Sequence, residues 1–176
     1  SGKLLAVHPD TGEERWRFEQ EVPPLTLRGQ SSPTVANGGV LLGLKTGKLS
    51  VLISENGYSA WSAEIATPKG ASEFERLVDV DTQALISGPY AYAIAYNGNL
   101  AAVDIRSGNV VWKREYSSYR DLSMDSQSIY VVDSDGVVYG LDKTSGIERW
   151  SQPALRGWYL TGPTVAGKYL ALGDQE

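Results

Sequence analysis

One phrase recurs four times along the chain: a glycine, a second glycine ten residues later, and a tryptophan four residues after that. The copies are Gly2, Gly12, Trp16; Gly47, Gly57, Trp61; Gly98, Gly108, Trp112; and Gly136, Gly146, Trp150, with first glycines 45, 51 and 38 residues apart. Fixed internal spacing at such a period marks stacked supersecondary units, none of which can bury its apolar face alone. Only Trp158 of the five tryptophans falls outside the phrase. Tryptophan is therefore architecture, and function must be sought in what differs between copies.

Within one copy, Pro33 to Ala36, Val40 to Leu44, Lys48 to Ile53 and Tyr58 to Ala63 are short β-favouring segments separated by Asn37-Gly-Gly, Thr46-Gly and Glu55-Asn-Gly. Four strands and three tight turns make a meander, with glycines at the turn positions where a side chain would strain a positive φ. Whole copies are expected over 31–64, 82–115 and 121–152, an outer half-copy over 1–18 and an inner half-copy over 160–176. Four-stranded antiparallel sheets at this period are the blades of a β-propeller, so the expected class is all-β, a partial propeller of about four blades. Helix is expected at most as one turn, where Ser72 and Glu75 have the spacing of a capping box.

Composition narrows the function. Sixteen Lys and Arg against 21 Asp and Glu leave a net charge of −5, and no stretch gathers the basic residues that would displace counterions from phosphates, so nucleic acid is not an expected partner. Absence of cysteine removes disulfides, thiol nucleophiles and thiolate metal sites. His8 is the only histidine, which speaks against zinc or iron. The longest apolar runs, such as Val40 to Leu42 and Ala91 to Ala95, are strand-sized and far short of the ~18 residues of a membrane helix. The chain opens at Ser1-Gly2 inside one copy and closes at Gly173-Asp-Gln-Glu176 where another would begin. It is read as a piece of a longer protein whose targeting signal lies elsewhere.

The connections between copies are unequal, and long connections in a compact array carry function more often than short ones. The longest are residues 19–32 and 64–82. The first holds Pro23-Pro24 followed by Leu25, Leu27 and Arg28. A stiff loop presenting two leucines and an arginine is a small anchor for a partner, because rigidity lowers the ordering cost of binding; the alternative is that both leucines fold inward as packing. The second connection carries Glu73, Glu75, Arg76, Asp79 and Asp81, net −3 over 73–81. In an extended segment, Asp79 and Asp81 share a side. They suit a basic group on a partner, a cation or an acid/base pair, or they form a plain solvated loop; no nucleophile accompanies them to favour catalysis. Asp133-Ser-Asp-Gly136 lacks the later ligands of a calcium loop and reads as a turn. Tyr90, Tyr92 and Tyr96 read as packing.

The copies Gly98-Asn-Leu-Ala-Ala-Val-Asp-Ile-Arg-Ser-Gly-Asn-Val-Val-Trp112 and Gly136-Val-Val-Tyr-Gly-Leu-Asp-Lys-Thr-Ser-Gly-Ile-Glu-Arg-Trp150 resemble the repeat of the pyrroloquinoline-quinone (PQQ) dehydrogenase superfamily, shared by enzymes and non-enzymes. Three stretches narrow this: Leu25-Thr-Leu-Arg-Gly-Gln-Ser-Ser-Pro-Thr34, Glu75-Arg-Leu-Val-Asp-Val-Asp-Thr82 and Ala93-Ile-Ala-Tyr-Asn-Gly-Asn-Leu-Ala-Ala-Val-Asp104. Together they are similar to the BamB family, propeller lipoproteins of the outer-membrane β-barrel assembly machinery, over about four of that family's eight blades. The resemblance implies a non-catalytic scaffold without cofactor, on the periplasmic face of the bacterial outer membrane, that binds the POTRA domains of BamA, the barrel-forming subunit. The resemblance also implies that lipid would anchor the full-length protein, while this stretch alone is expected to be soluble. The family residues implicated in the BamA contact fall on Leu25, Leu27, Arg28, Asp79 and Asp81. Unfolded outer-membrane substrates are a further possible partner, through the open strand edges that permit β-augmentation.

The rival reading is a piece of a PQQ-dependent quinoprotein dehydrogenase, whose adjacent-cysteine disulfide this cysteine-free chain cannot form. The two half-copies raise one more expectation, that they complete each other within one chain or between two, the latter as a swapped dimer.

Overall fold

Alternation decides which way each strand faces. In the segment Tyr90–Ile94, Ala91 and Ala93 pack into one apolar cluster while Tyr92 and Ile94 pack into another, as the two-residue period of a strand buried on both faces requires. The same split runs through Leu100–Asp104, with Ala101 and Val103 on the first side and Leu100 and Ala102 on the second. A sheet buried on both faces must have a neighbour on each side, and the repeat supplies them.

The computed structural model of the chain describes residues 2–20, 22, 23, 25 and 31–174. Its strands are β1 (Lys3–Val7), β2 (Glu14–Glu19), β3 (Thr34–Ala36), β4 (Gly39–Gly43), β5 (Lys48–Ile53), β6 (Ser59–Glu64), β7 (Leu85–Ser87) and β8 (Tyr90–Ile94), continuing as β9 (Leu100–Asp104), β10 (Val110–Arg114), β11 (Ser123–Met124), β12 (Ser128–Val132), β13 (Val138–Asp142), β14 (Glu148–Gln152), β15 (Thr164–Ala166) and β16 (Tyr169–Ala171). Strands β3 to β6, β7 to β10 and β11 to β14 form three four-stranded antiparallel sheets in chain order, and β1–β2 and β15–β16 are separate two-stranded sheets. One cluster, with Leu41, Leu49 and Val51 facing Ala91, Ala93 and Val103, joins the first whole sheet to the second. Another, with Tyr92, Leu100 and Trp112 facing Ile129 and Leu141, joins the second to the third. Sheets stacked face to face in chain order are propeller blades. The capping box does form, Glu75 N–H donating to Ser72 Oγ at 3.2 Å and Ser72 N–H to Glu75 Oε2 at 3.1 Å, but it closes a turn and not a helix.

Trp16, Trp61 and Trp112 each belong to the last strand of one sheet and are received by the next. Trp61 donates its indole N–H to the Ile105 carbonyl at 2.9 Å, and Trp112 to that of Lys143 at 3.3 Å. The ring lies over the second glycine of the neighbouring copy: a Cβ on Gly108 would stand 2.7 Å from Trp61, and one on Gly146 2.6 Å from Trp112. Those glycines also have φ of 74° and 69°. Gly12 has a φ of 72° in the equivalent turn, yet a Cβ there meets nothing within 4 Å. Gly146→Ala is therefore expected to cost both the left-handed backbone penalty, roughly 1 kcal/mol, and an overpacking penalty of about 1 to 3 kcal/mol. Gly12→Ala should cost the backbone share alone, so equal losses in urea unfolding would contradict the ring-over-glycine contact as the source.

Candidate partner-binding site

The chain passes from the outer strand of one blade to the inner strand of the next on one face of the stack, and each such linker is tied to the turn between the two middle strands. Ile65 and Ala66 donate their N–H groups to the Gly47 carbonyl at 3.0 and 2.9 Å, Val80 donates to Leu44 at 3.3 Å and Tyr96 to Asp79 at 2.9 Å. The second long linker is thus pinned between the β4–β5 turn of its own blade and the β8–β9 turn of the next. Asn99 Nδ2 donates to Ile65 and Asn97 Nδ2 to Leu77, at 3.0 and 3.1 Å. Val80 lies directly against Gly43, where any Cβ would collide with the Val80 carbonyl. That close approach is what draws the linker down onto the blade.

Asp79 and Asp81 do not form the open acidic face that their sequence suggests. Asp79 is 1% exposed, and both carboxylates turn onto one ammonium: Lys45 Nζ lies 3.0 Å from Asp79 Oδ2 and 2.5 Å from Asp81 Oδ1. Lys45 belongs to the β4–β5 turn, and its own side chain is 13% exposed. Burial of a carboxylate without full hydration favours the neutral acid. Desolvation, with the Asp81 charge adding to it, lifts Asp79 to about 6 against the opposing pull of Lys45. Asp79 Oδ1 is buried without a hydrogen-bond partner among the described residues.

The first long linker reaches the same place. Gln20 Oε1 accepts from the Lys45 backbone N–H at 3.1 Å. At the linker's far end, Ser31 Oγ donates to the Thr82 carbonyl at 2.9 Å and accepts from Gly43 N–H at 3.3 Å. Both ends of residues 19–32 are therefore fastened to the turn and strand that hold 79–82. Leu25 is half-buried. Leu27 and Arg28 lie outside the described residues. Around the junction, Val22 is 41% exposed and Phe74, on the second linker, 75% exposed.

Of the five expected site residues, the structure brings Asp79 and Asp81 together, buried on Lys45. Lys45, Gln20 and Ser31 carry the junction and escaped the sequence reading. A signal for Lys45 existed: at the position two residues before the repeat's first glycine, the other whole copies have Tyr96 and Ser134. A cation there, facing the one linker with paired aspartates, is a charge match between elements 34 residues apart.

With this geometry in place, comparison with known proteins is informative. A family model described as outer membrane protein assembly factor BamB matches residues 1–152. The BamB of Alteromonas naphthalenivorans is 49% identical over 90% of this chain and 38% of its own length. That of Shewanella oneidensis is 40% identical over all of this chain and 45% of its own length. The chain thus spans less than half the length of the curated relatives it matches. Among solved structures, BamB from Moraxella catarrhalis superposes with a TM-score of 0.93 at 27% identity, over 99% of this chain and 53% of that one.

Proposed function

Because the chain belongs to the BamB family of outer membrane protein assembly factors, we propose that it is a non-catalytic scaffold in outer-membrane β-barrel assembly, acting at the periplasmic face and docking the POTRA region of BamA through the junction of its two long linkers. The observation that supports this reading is the Lys45 junction itself, which fixes the linkers of adjacent blades to one another on a single face. The roles divide accordingly. Leu25, Leu27 and Arg28 supply the contact: the leucines enter an apolar spot on BamA and the guanidinium pairs with a carboxylate there. Asp79 and Asp81 act through Lys45 as positioning residues, since a carboxylate that is 1% exposed has no face left to offer a partner.

Rim charges of the Arg28 kind set register and association rate more than affinity, whereas buried apolar anchors dominate affinity. Leu27→Asp is accordingly expected to weaken binding to the isolated POTRA region at least tenfold by surface plasmon resonance, chiefly through faster dissociation. Arg28→Ala should slow association and flatten its salt dependence. Asp142→Ala, at the half-buried end of β13, serves as control and should bind as the parent does. Parent-like binding by both Leu27→Asp and Arg28→Ala would overturn the reading.

A further inference from the structure

The seams between whole blades differ on the face of the stack opposite the linkers. Register places Gly39 between Ala36 and Ile53 in the first whole sheet, Tyr90 between Ser87 and Asp104 in the second, and Ser128 opposite Asp142 in the third. These are equivalent positions on the side of each sheet that meets the next: Gly39 shares its side with Leu41, and Tyr90 with Tyr92. In the seam between the second and third blades, the Tyr90 side chain packs against the apolar cluster. In the seam between the first and second, Gly39 brings no side chain. A cavity of about 590 Å3 opens there between two whole sheets, walled by Trp61, Ile53, Ile105 and Pro89, with the exposed Arg106 at its mouth.

The residue across the strand departs from the repeat at the same place. Asp104 Oδ1 accepts the Arg106 and Ser107 N–H groups at 3.0 and 2.9 Å, and Asp142 Oδ1 accepts those of Thr144 and Ser145, both at 3.0 Å. The first whole blade has Ile53 there, 39% exposed. It forgoes two charge-assisted hydrogen bonds and turns an apolar side chain to the cavity instead. Arg106 is the only charged residue among those lining the cavity. Among the described residues its guanidinium makes no ion pair and no side-chain hydrogen bond, and the Oδ1 of its charged neighbour Asp104 is engaged by the turn N–H groups.

We propose that this cavity is a binding site for a small aromatic anion, a flat apolar body carrying one oxyanion group. The second seam supplies the template for the body, since an aromatic ring, that of Tyr90, occupies the equivalent place there. Arg106 supplies the charge, through a guanidinium whose forked donors suit oxyanions. Trp61, its indole N–H already held by the Ile105 carbonyl at 2.9 Å, presents its ring for stacking. The volume falls within the roughly 300 to 1,000 Å3 of ligand pockets. The site is independent of BamA binding, because the turns that frame it lie at the ends of the strands remote from the linkers.

Anilinonaphthalene sulfonate and its neutral analogue phenylnaphthylamine differ by one sulfonate and serve as probes. With the tryptophans isotope-labelled and Trp61→Phe used for assignment, the sulfonate is expected to shift the Trp61 indole N–H resonance, while that of Trp112, in the seam that Tyr90 fills, stays in place. Titrated at the Trp61 resonance, Arg106→Gln should raise the dissociation constant of the sulfonate about fivefold, as for a partly exposed charge pair, and leave that of the neutral probe unchanged. Gly39→Tyr should remove binding of both probes. A Cβ there stands 2.9 Å from Val51 Cγ1, so Ile53→Asp, which installs the residue the next two blades carry, is made beside it and should weaken the sulfonate about tenfold through like-charge repulsion. A parent-like Trp112 resonance checks the fold of each variant. A Trp61 resonance that the sulfonate leaves in place overturns the proposal, as does an equal shift at Trp112. So does an Arg106→Gln variant that weakens both probes alike or neither, or an Ile53→Asp variant that binds the sulfonate as the parent does.

Discussion

Lys45→Met should lower stability at pH 7.5 by about 3 to 5 kcal/mol, the usual result of removing one partner from a buried ion pair. The size follows from what is left behind: two carboxylates, on Asp79 and Asp81, with side chains 1% and 6% exposed and paired on the same ammonium. Urea unfolding at two pH values separates this from simple loss of packing, since methionine keeps most of the aliphatic stem. Asp79 holds its proton up to about 6 in the folded chain against an ordinary 3.8, so its favourable contribution is complete below 3.8 and is lost as pH rises through about 6. Without Lys45, whose pull opposes the rise, Asp79 shifts further upward, and the variant's deficit should shrink clearly between pH 7.5 and 5. Asp142 has the opposite sign: the Arg149 bond, with Ser145 N–H assisting, holds it at about 2, so its contribution stands above 3.8 and fades as pH falls toward 2. In the parent these two groups favour the range just above pH 4 over neutrality. A deficit that stays constant from pH 7.5 to 5 would mean that the acids are not the source.

Trp112→Ala should cost about 3 to 5 kcal/mol, as large-to-small changes at buried aromatic sites do, measured by calorimetry. Trp112 is 8% exposed, tilts against Tyr92 with ring centroids 6.0 Å apart, and spans two blades through its bond to Lys143. Trp112→Phe keeps most of the ring and loses the N–H, so it should recover all but about 1 to 2 kcal/mol. Trp150→Ala under the same conditions should cost only about 1 kcal/mol, since that ring is 40% exposed, with Tyr130 beside it and β15–β16 across a cavity from it. Equal losses at Trp112 and Trp150 would refute the view that the tryptophans stabilise across blades and not within them.

The fold was legible because its marks are stereochemical. Glycines at positive φ and a tryptophan at fixed spacing identify the turns and the last strand of each sheet, whatever the residues between them do. The candidate partner site was only half legible. Linker length and composition singled out 19–32 and 64–82, but the disposition of Asp79 and Asp81 depends on Lys45, Gln20 and Ser31, residues of ordinary type in ordinary turns. Their meaning arises when separate segments meet, and pattern within one segment carries no trace of that. An acidic pair two residues apart looks alike whether it faces water or a buried ammonium. The Ser72 capping box shows the complementary case, a purely local signal that could be read correctly. Its local hydrogen bonds formed as its spacing predicts, yet with Leu77 and Val78 drawn off toward the blade, the segment stops at one turn.

Every sheet here is a meander whose strands pair in the order they are written, with no crossover anywhere in the described residues. A polypeptide threaded end-first through a narrow opening can therefore finish one leaf before the following one has emerged, without waiting for a distant segment to supply a missing strand. Damage is confined for the same reason: a fault in one leaf weakens its two flanks and leaves remoter leaves to stand on their own seams.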